Sequence, residues 1–153
     1  MQCEMDGAKH IEGMMNMRSR KPILLVEDDY VDVMTVKRAL SEVNLQNDLI
    51  VVENGEQALD YLDEPTNERP GIILLDLNMP RMNGIEFLQI VKKHDQHKII
   101  PIIVLTTSSQ EKDRLESFKM SVAGYITKPV IYTEFVEVVK VIDKYWTCSD
   151  MPI

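Results

Sequence analysis

From Lys21 onward the chain switches between two hydrophobic patterns. Three short apolar runs, Pro22-Ile23-Leu24-Leu25-Val26, Ile72-Ile73-Leu74-Leu75 and Pro101-Ile102-Ile103-Val104-Leu105, show no alternation with polar residues. That is the pattern of strands buried on both faces of a parallel sheet. Between them, apolar residues recur every three or four positions. Val33, Val36, Leu40 and Val43 mark a helix over Val31 to Val43. Ala58, Leu59 and Leu62 mark another after Asn54-Gly55, and Ile85, Leu88 and Val91 a third, opened by Asn83-Gly84 and frayed by the polar run His94 to Lys98. A fourth helix is expected over Gln110 to Met120. The last, Val130 to Trp146, would align Ile131, Phe135, Val138, Ile142 and Trp146 (or Tyr145) on one stripe. Two weaker strands complete the set: Asp48 to Val52, polar enough for a sheet edge, and Gly124 to Thr127.

Five strands alternating with five helices, each connection long enough for a right-handed crossover, predict a doubly wound α/β domain on a five-stranded parallel sheet. The domain is expected over residues 21–147, with a flexible extension at 1–20 and a tail at 148–153. Residues 1–20 hold five of the ten methionines and no sustained period, so no function is assigned to them. Met14, Met15 and Met17 could each be a start site. No second or output domain is expected after Trp146.

Composition narrows this little. Apolar content of 44% with 27% charged residues is ordinary for a soluble protein. The longest apolar run, Ile99 to Leu105, is broken by Pro101 and falls far short of the roughly 20 residues that span a bilayer. Glu4, Asp6 and Glu12 speak against a signal peptide. Cys3 and Cys148 lie outside any metal-ligand spacing, which fits a reducing cytoplasm. A net charge of −8 disfavours direct nucleic-acid binding.

Candidate chemistry sits at the carboxyl ends of the strands, the edge where open α/β sheets bind ligands. Asp76 ends the Ile72–Leu75 run and precedes Leu77-Asn78-Met79-Pro80. Alone, it reads as well as a turn-capping acid as it does as a reactive one. The first strand ends in Glu27-Asp28-Asp29, the fourth in Thr106-Thr107-Ser108-Ser109, and the fifth in Thr127-Lys128-Pro129. The acid run also reads as a helix N-terminal cluster, Thr106 as a cap, Lys128 as a surface lysine and Tyr125 as an edge aromatic. Converging carboxylates repel by several kcal/mol at ~4 Å, and a hard divalent cation such as Mg²⁺ relieves that repulsion. His10, His94 and His97 lie in polar segments away from this edge.

Taken in order, Glu27-Asp28, Asp76-Leu77-Asn78-Met79-Pro80, Gly84, Thr106, Tyr125 and Lys128-Pro129 resemble the receiver domain of two-component response regulators. The spacings from Asp76 of 30 residues to Thr106 and 52 to Lys128 also fit. The resemblance covers Lys21 to Trp146 and implies the flavodoxin-like strand order 2-1-3-4-5. It implies Asp76 as phosphoacceptor for a histidine kinase or phosphotransfer protein, and Mg²⁺ held by Asp28, Glu27, Asp76 and the Asn78 carbonyl. Lys128 and Thr106 would contact the phosphoryl group, Tyr125 would switch with Thr106, and the Lys128-Pro129 bond would be cis. Asp29 falls beyond the usual acid pair and receives no role.

The resemblance further implies a cytoplasmic signalling protein rather than an enzyme, acting alone on a downstream protein target and not on a membrane. Val31 and Met34, apolar but off the buried stripe, suit a kinase-docking patch. The Thr106–Ser109 loop, the loop Asp63 to Pro70 and Tyr145-Trp146 are similar to regulators paired with bacterial phytochrome kinases. A homodimer would use the side formed by helix four, strand five and helix five, with Val136 and Val139 as contacts. The competing reading is a flavin-binding or phosphatase-like α/β domain. Three acids stand where a flavin phosphate loop would be, and Asp76-Leu77-Asn78 lacks the second acid of a D-x-D phosphatase.

Overall fold

A computed structural model of the chain describes residues 21–79, 81–106, 121–128 and 131–148. Their order is β1 (Ile23–Val26), α1 (Tyr30–Glu42), β2 (Leu49–Val52), α2 (Gly55–Asp63), β3 (Ile72–Asp76), α3 (Gly84–Lys93), a 3₁₀ turn (His97–Ile99), β4 (Ile102–Thr106), β5 (Gly124–Thr127) and α4 (Tyr132–Cys148). The expected helix Gln110 to Met120, the Thr107–Ser109 loop, Pro129 and residues 1–20 lie outside the described residues.

All pairings are parallel and the sheet order is β2-β1-β3-β4-β5. The unbroken apolar runs now have their cause, because alternate residues of each central strand enter different layers. Leu25, Leu74 and Ile103 pack with Val36 and Leu40 of α1 and Phe135 and Val139 of α4. Leu24, Val26, Ile73, Leu75 and Val104 pack with Ala58 of α2 and Phe87, Leu88 and Val91 of α3. β1 and β3 are buried throughout, whereas β2 lies at one edge and is only partly covered.

Local signals set the helix ends. Asn54 caps α2 by accepting from the Gln57 N–H, and Asn83 caps α3 by accepting from the Glu86 N–H. α1 ends in a Schellman turn: Asn44 adopts φ 56°, its N–H donates to Ser41 O at 3.1 Å, and the Leu45 N–H donates to Leu40 O at 3.0 Å.

Two expectations need correcting. The buried face of α4 carries Phe135, Val136, Val139 and Ile142, while Ile131 is exposed and Val138 only partly covered. Val136 and Val139 are core residues packed toward α1 and cannot serve as dimer contacts. The His94–Lys98 segment is not a frayed end either. It tightens into the 3₁₀ turn, which buries His97.

Candidate functional site

The parallel register sets the site. Val26 lies beside Leu75 and Asp76 beside Leu105. One residue past the Val26–Leu75 pair, Glu27 and Asp76 therefore stand side by side on neighbouring strands. The Glu27 N–H still donates to Val52 O at 2.9 Å, which pins that residue at the sheet edge. Both carboxylates are 1% exposed. Asp28 is exposed, yet its carboxylate joins them: one oxygen from each of Glu27, Asp28 and Asp76 lies within 4.8 Å of the others.

The β3–α3 turn is held close by Gly84. A Cβ there would sit 2.7 Å from Asp76 O and 2.7 Å from Leu77 Cα, so only glycine admits the approach. The Gly84 N–H donates to Leu77 O at 3.2 Å, and the Asn78 N–H donates to Asp76 Oδ1 at 3.0 Å. Asp76 therefore has one oxygen fixed by its own turn, and the other faces Lys128.

Lys128 follows β5, two strands from β3 in the sheet, yet its ammonium enters the acid cluster. Nζ lies 3.0 Å from Glu27 Oε2, 3.1 Å from Asp32 Oδ2 and 3.3 Å from Asp76 Oδ2. Asp32 was not singled out by the sequence pattern. It projects inward from the first turn of α1 and is 6% exposed. Asp29, by contrast, is the α1 N-cap: its Oδ1 accepts from the Val31 N–H at 2.8 Å and the Asp32 N–H at 3.4 Å. The helix-cap reading of the acid run thus holds for Asp29 alone.

Burial raises the Glu27 carboxyl to about 7; the Asp29 N–H opposes the shift, Asp76 adds to it and Lys128 opposes it. Burial likewise raises Asp76, against the Asn78 N–H and Lys128. Lys128 is lowered by its own burial, but the Glu27 hydrogen bond and the Asp76 charge outweigh this and raise it, so the ammonium is retained at any physiological pH. Three carboxylates thus share one ammonium, and the Asp28 carboxylate lies beside two of them. Glu27 Oε2 and Asp76 Oδ2 are fully buried and touch Lys128 as ion pairs, with no hydrogen bond of ordinary geometry. Buried anionic oxygens in surplus, all of them hard donors, fit a divalent cation.

β4 ends at Thr106, whose backbone pairs with Thr127; its side chain lies outside the described residues. Tyr125 pairs with Val104 on the neighbouring strand and packs, partly covered, against the layer of α2 and α3. Val31 and Met34 are exposed near the α1 N-terminus, as the helical pattern predicted.

A second cluster, Asp63, His94 and His97, lines a cleft of about 340 Å³ at the opposite sheet edge. Its bonding is structural. His94 Nδ1 accepts from the Gln96 and His97 N–H groups, which leaves the ring proton on Nε2 and that nitrogen without a lone pair for a metal. The two imidazoles stack at 3.7 Å, and His97 Nε2 lies 3.1 Å from Asp63 Oδ1.

The family model for the response regulator receiver domain matches residues 23–140. The response regulator Rcp1 of Synechocystis is 35% identical over 130 residues, 82% of this chain and 88% of Rcp1. A solved structure of Rcp1 in its Mn²⁺-bound form has 34% identity and a TM-score of 0.72, covering 87% of this chain and 99% of that one. The bacteriophytochrome response regulator RtBRR has 42% identity and a TM-score of 0.71, with 80% and 76% covered. The phosphorylated cyanobacterial phytochrome response regulator RcpA has 34% identity and a TM-score of 0.75, with 88% and 99% covered.

Proposed function

The chain belongs to the response regulator receiver domain family, and from that membership we propose that Asp76 is its phosphoacceptor, with Mg²⁺ as the cation. The single observation that carries this reading is the placement of Asp76 within the Glu27–Asp28 acid cluster with its Oδ2 3.3 Å from the Lys128 ammonium. Family membership makes it a signalling protein rather than a classical enzyme.

In the step proposed, an Asp76 carboxylate oxygen attacks the phosphorus of a phosphohistidine. The O–P bond forms as the P–N bond breaks, and the imidazole nitrogen leaves with the electron pair and is then protonated. Glu27, Asp28 and Asp76 would hold the cation together with the Asn78 carbonyl, and when bound it neutralises phosphoryl oxygens. Lys128, kept protonated by its carboxylates, supplies N–H donors to another phosphoryl oxygen. Thr106 would take a third and Tyr125 would follow it, changing the β5–α4 side.

The donor is a histidine kinase or phosphotransfer protein docking at Val31 and Met34, and the receiver of the signal is a protein. RtBRR and RcpA are phytochrome response regulators by name, so a phytochrome-type kinase is the donor to test first. Should a homodimer form on the β5–α4 side, exposed Ile131 and Val141 replace Val136 and Val139 as its apolar contacts. Among the described residues no helix is long and apolar enough to cross a membrane. We place the protein in the cytoplasm.

The test is uptake of label from acetyl phosphate in the presence of Mg²⁺. Wild-type protein should acquire acid-stable, hydroxylamine-labile phosphate and Asp76→Asn none. Label of that character on the variant would sink the assignment.

A further inference from the structure

We propose that Asp32 is a positioning residue for Lys128, holding its ammonium against Asp76 and whatever phosphoryl group Asp76 carries; this rests on the phosphoacceptor reading above. An acid in the first turn of a helix ordinarily serves the helix dipole or reaches back to the N-cap N–H. Neither job explains Asp32. The Asp29 N–H is already taken by Glu27 Oε1 at 3.0 Å. A dipole role also asks for no burial, and while Tyr30 and Val31 in the same turn are 73% and 69% exposed, Asp32 is 6% exposed. A carboxylate so placed needs a counter-charge. Lys128 Nζ lies 3.1 Å away, on a side chain itself only 11% exposed.

A lysine ammonium has three N–H donors on a flexible four-carbon stem. Here three carboxylates surround it, Glu27 from β1, Asp76 from β3 and Asp32 from α1. The oxygens of Glu27 and Asp76 belong to the cluster that fits a cation, and Asp32 does not. Once a cation and a phosphoryl group claim Glu27 and Asp76, Asp32 is the member of this trio left to hold Lys128. It therefore keeps the ammonium on station through the state in which it is needed, and it ties α1 to the charge on Asp76.

The experiment is a double-mutant cycle on the full chain with acetyl phosphate and Mg²⁺, using wild type, Asp32→Ala, Asp32→Asn, Lys128→Ala and the Asp32→Ala/Lys128→Ala pair. Melting curves establish folding, and Asp32→Asn covers the case in which the alanine variant does not fold. Asp32→Ala should lower the maximal phosphorylation rate about tenfold while half-saturating acetyl phosphate and Mg²⁺ affinity stay within about twofold. Asp32→Asn, which retains an acceptor oxygen, should fall between. In the Lys128→Ala background, Asp32→Ala should cost nothing further. Multiplicative losses in the double variant, Mg²⁺ affinity falling in step with the rate, or an unchanged rate would each overturn the proposal. A wild-type protein that takes up no phosphate overturns the phosphoacceptor reading, and the proposal with it; a labelled wild type with an unaffected Asp32→Ala overturns the proposal alone.

Discussion

Glu27→Gln should stabilise the metal-free protein at pH 8 and sharply reduce its response to Mg²⁺. Folding carries Glu27 into a site where burial raises its carboxyl from 4.5 to about 7. The sign follows from linkage. A carboxyl raised in the folded state contributes stability that is complete below pH 4.5 and is lost as pH climbs through about 7. Asp76 is raised by burial and acts in the same direction. At about 1.4 kcal/mol for each pH unit between the unfolded and folded values, the Glu27 contribution lost by pH 8 is about 3 kcal/mol. Glutamine removes the charge but is itself desolvated and pairs less well with Lys128, so a net gain of about 1–2 kcal/mol is expected, or roughly 2–8 °C for a chain of this size. Calorimetric melts at pH 5.5 and pH 8, with and without Mg²⁺, read it directly. Metal-free wild type should melt lower at pH 8 than at pH 5.5, Glu27→Gln should flatten that fall, and Mg²⁺ should raise wild type most at pH 8 and the variant little. A variant that melts below wild type at pH 8, or gains as much from Mg²⁺, would refute the charge-surplus account.

Gly84→Ala should destabilise the fold by about 1–3 kcal/mol, because the new Cβ meets Asp76 and Leu77 backbone at 2.7 Å. It should also weaken Mg²⁺ binding in the same sample, by calorimetric titration, since the displaced backbone carries Asp76. His97→Ala should lower the melting midpoint through loss of a buried ring and its Asp63 contact, a cost of about 1–3 kcal/mol. Because the ring lies at the opposite sheet edge, its phosphorylation rate should stay within about twofold of wild type.

The strands were legible because a sheet covered on both faces leaves a signature that edge strands and helices do not, and β1, β3 and β4 carry it undiluted. Asn54 and Asn83 were equally plain, since a cap acts on the backbone a few residues away. α4 was misread for a physical reason. Its apolar residues at 135, 136, 138, 139, 141 and 142, with Ile131 just before it, spread over more than half of the helix circumference. Its period therefore names no single face, and packing against α1 makes the choice. Asp32 was invisible for another reason: in sequence it is one more first-turn acid, and its partner stands at the far end of β5. His97 was hidden by polar neighbours, because a 3₁₀ turn can bury one ring out of a solvated run. The reactive edge itself was legible through strand ends, which topology forces together whatever the loops do.

The division of labour in the sheet says where a phosphoryl group would be felt. An acyl phosphate would carry roughly 1.5–2 negative charges where the ionised Asp76 carboxylate carries one, a net addition of about one beside carboxylates already in surplus. Among the described residues the cation in contact with that cluster is Lys128. β1 and β3 cannot yield to the new charge, because every residue of both is buried between two apolar layers. β5 can: its residues run from partly covered to exposed, and it is paired with β4 alone. A force exerted at Asp76 would thus be resisted by the strand that bears it and transmitted through the Lys128 ammonium to β5, an edge strand with one neighbour. If Asp76 is the phosphoacceptor, the side that yields would be β5 with the helix that follows it, and Asp32 would fix the pivot by holding the same ammonium to α1.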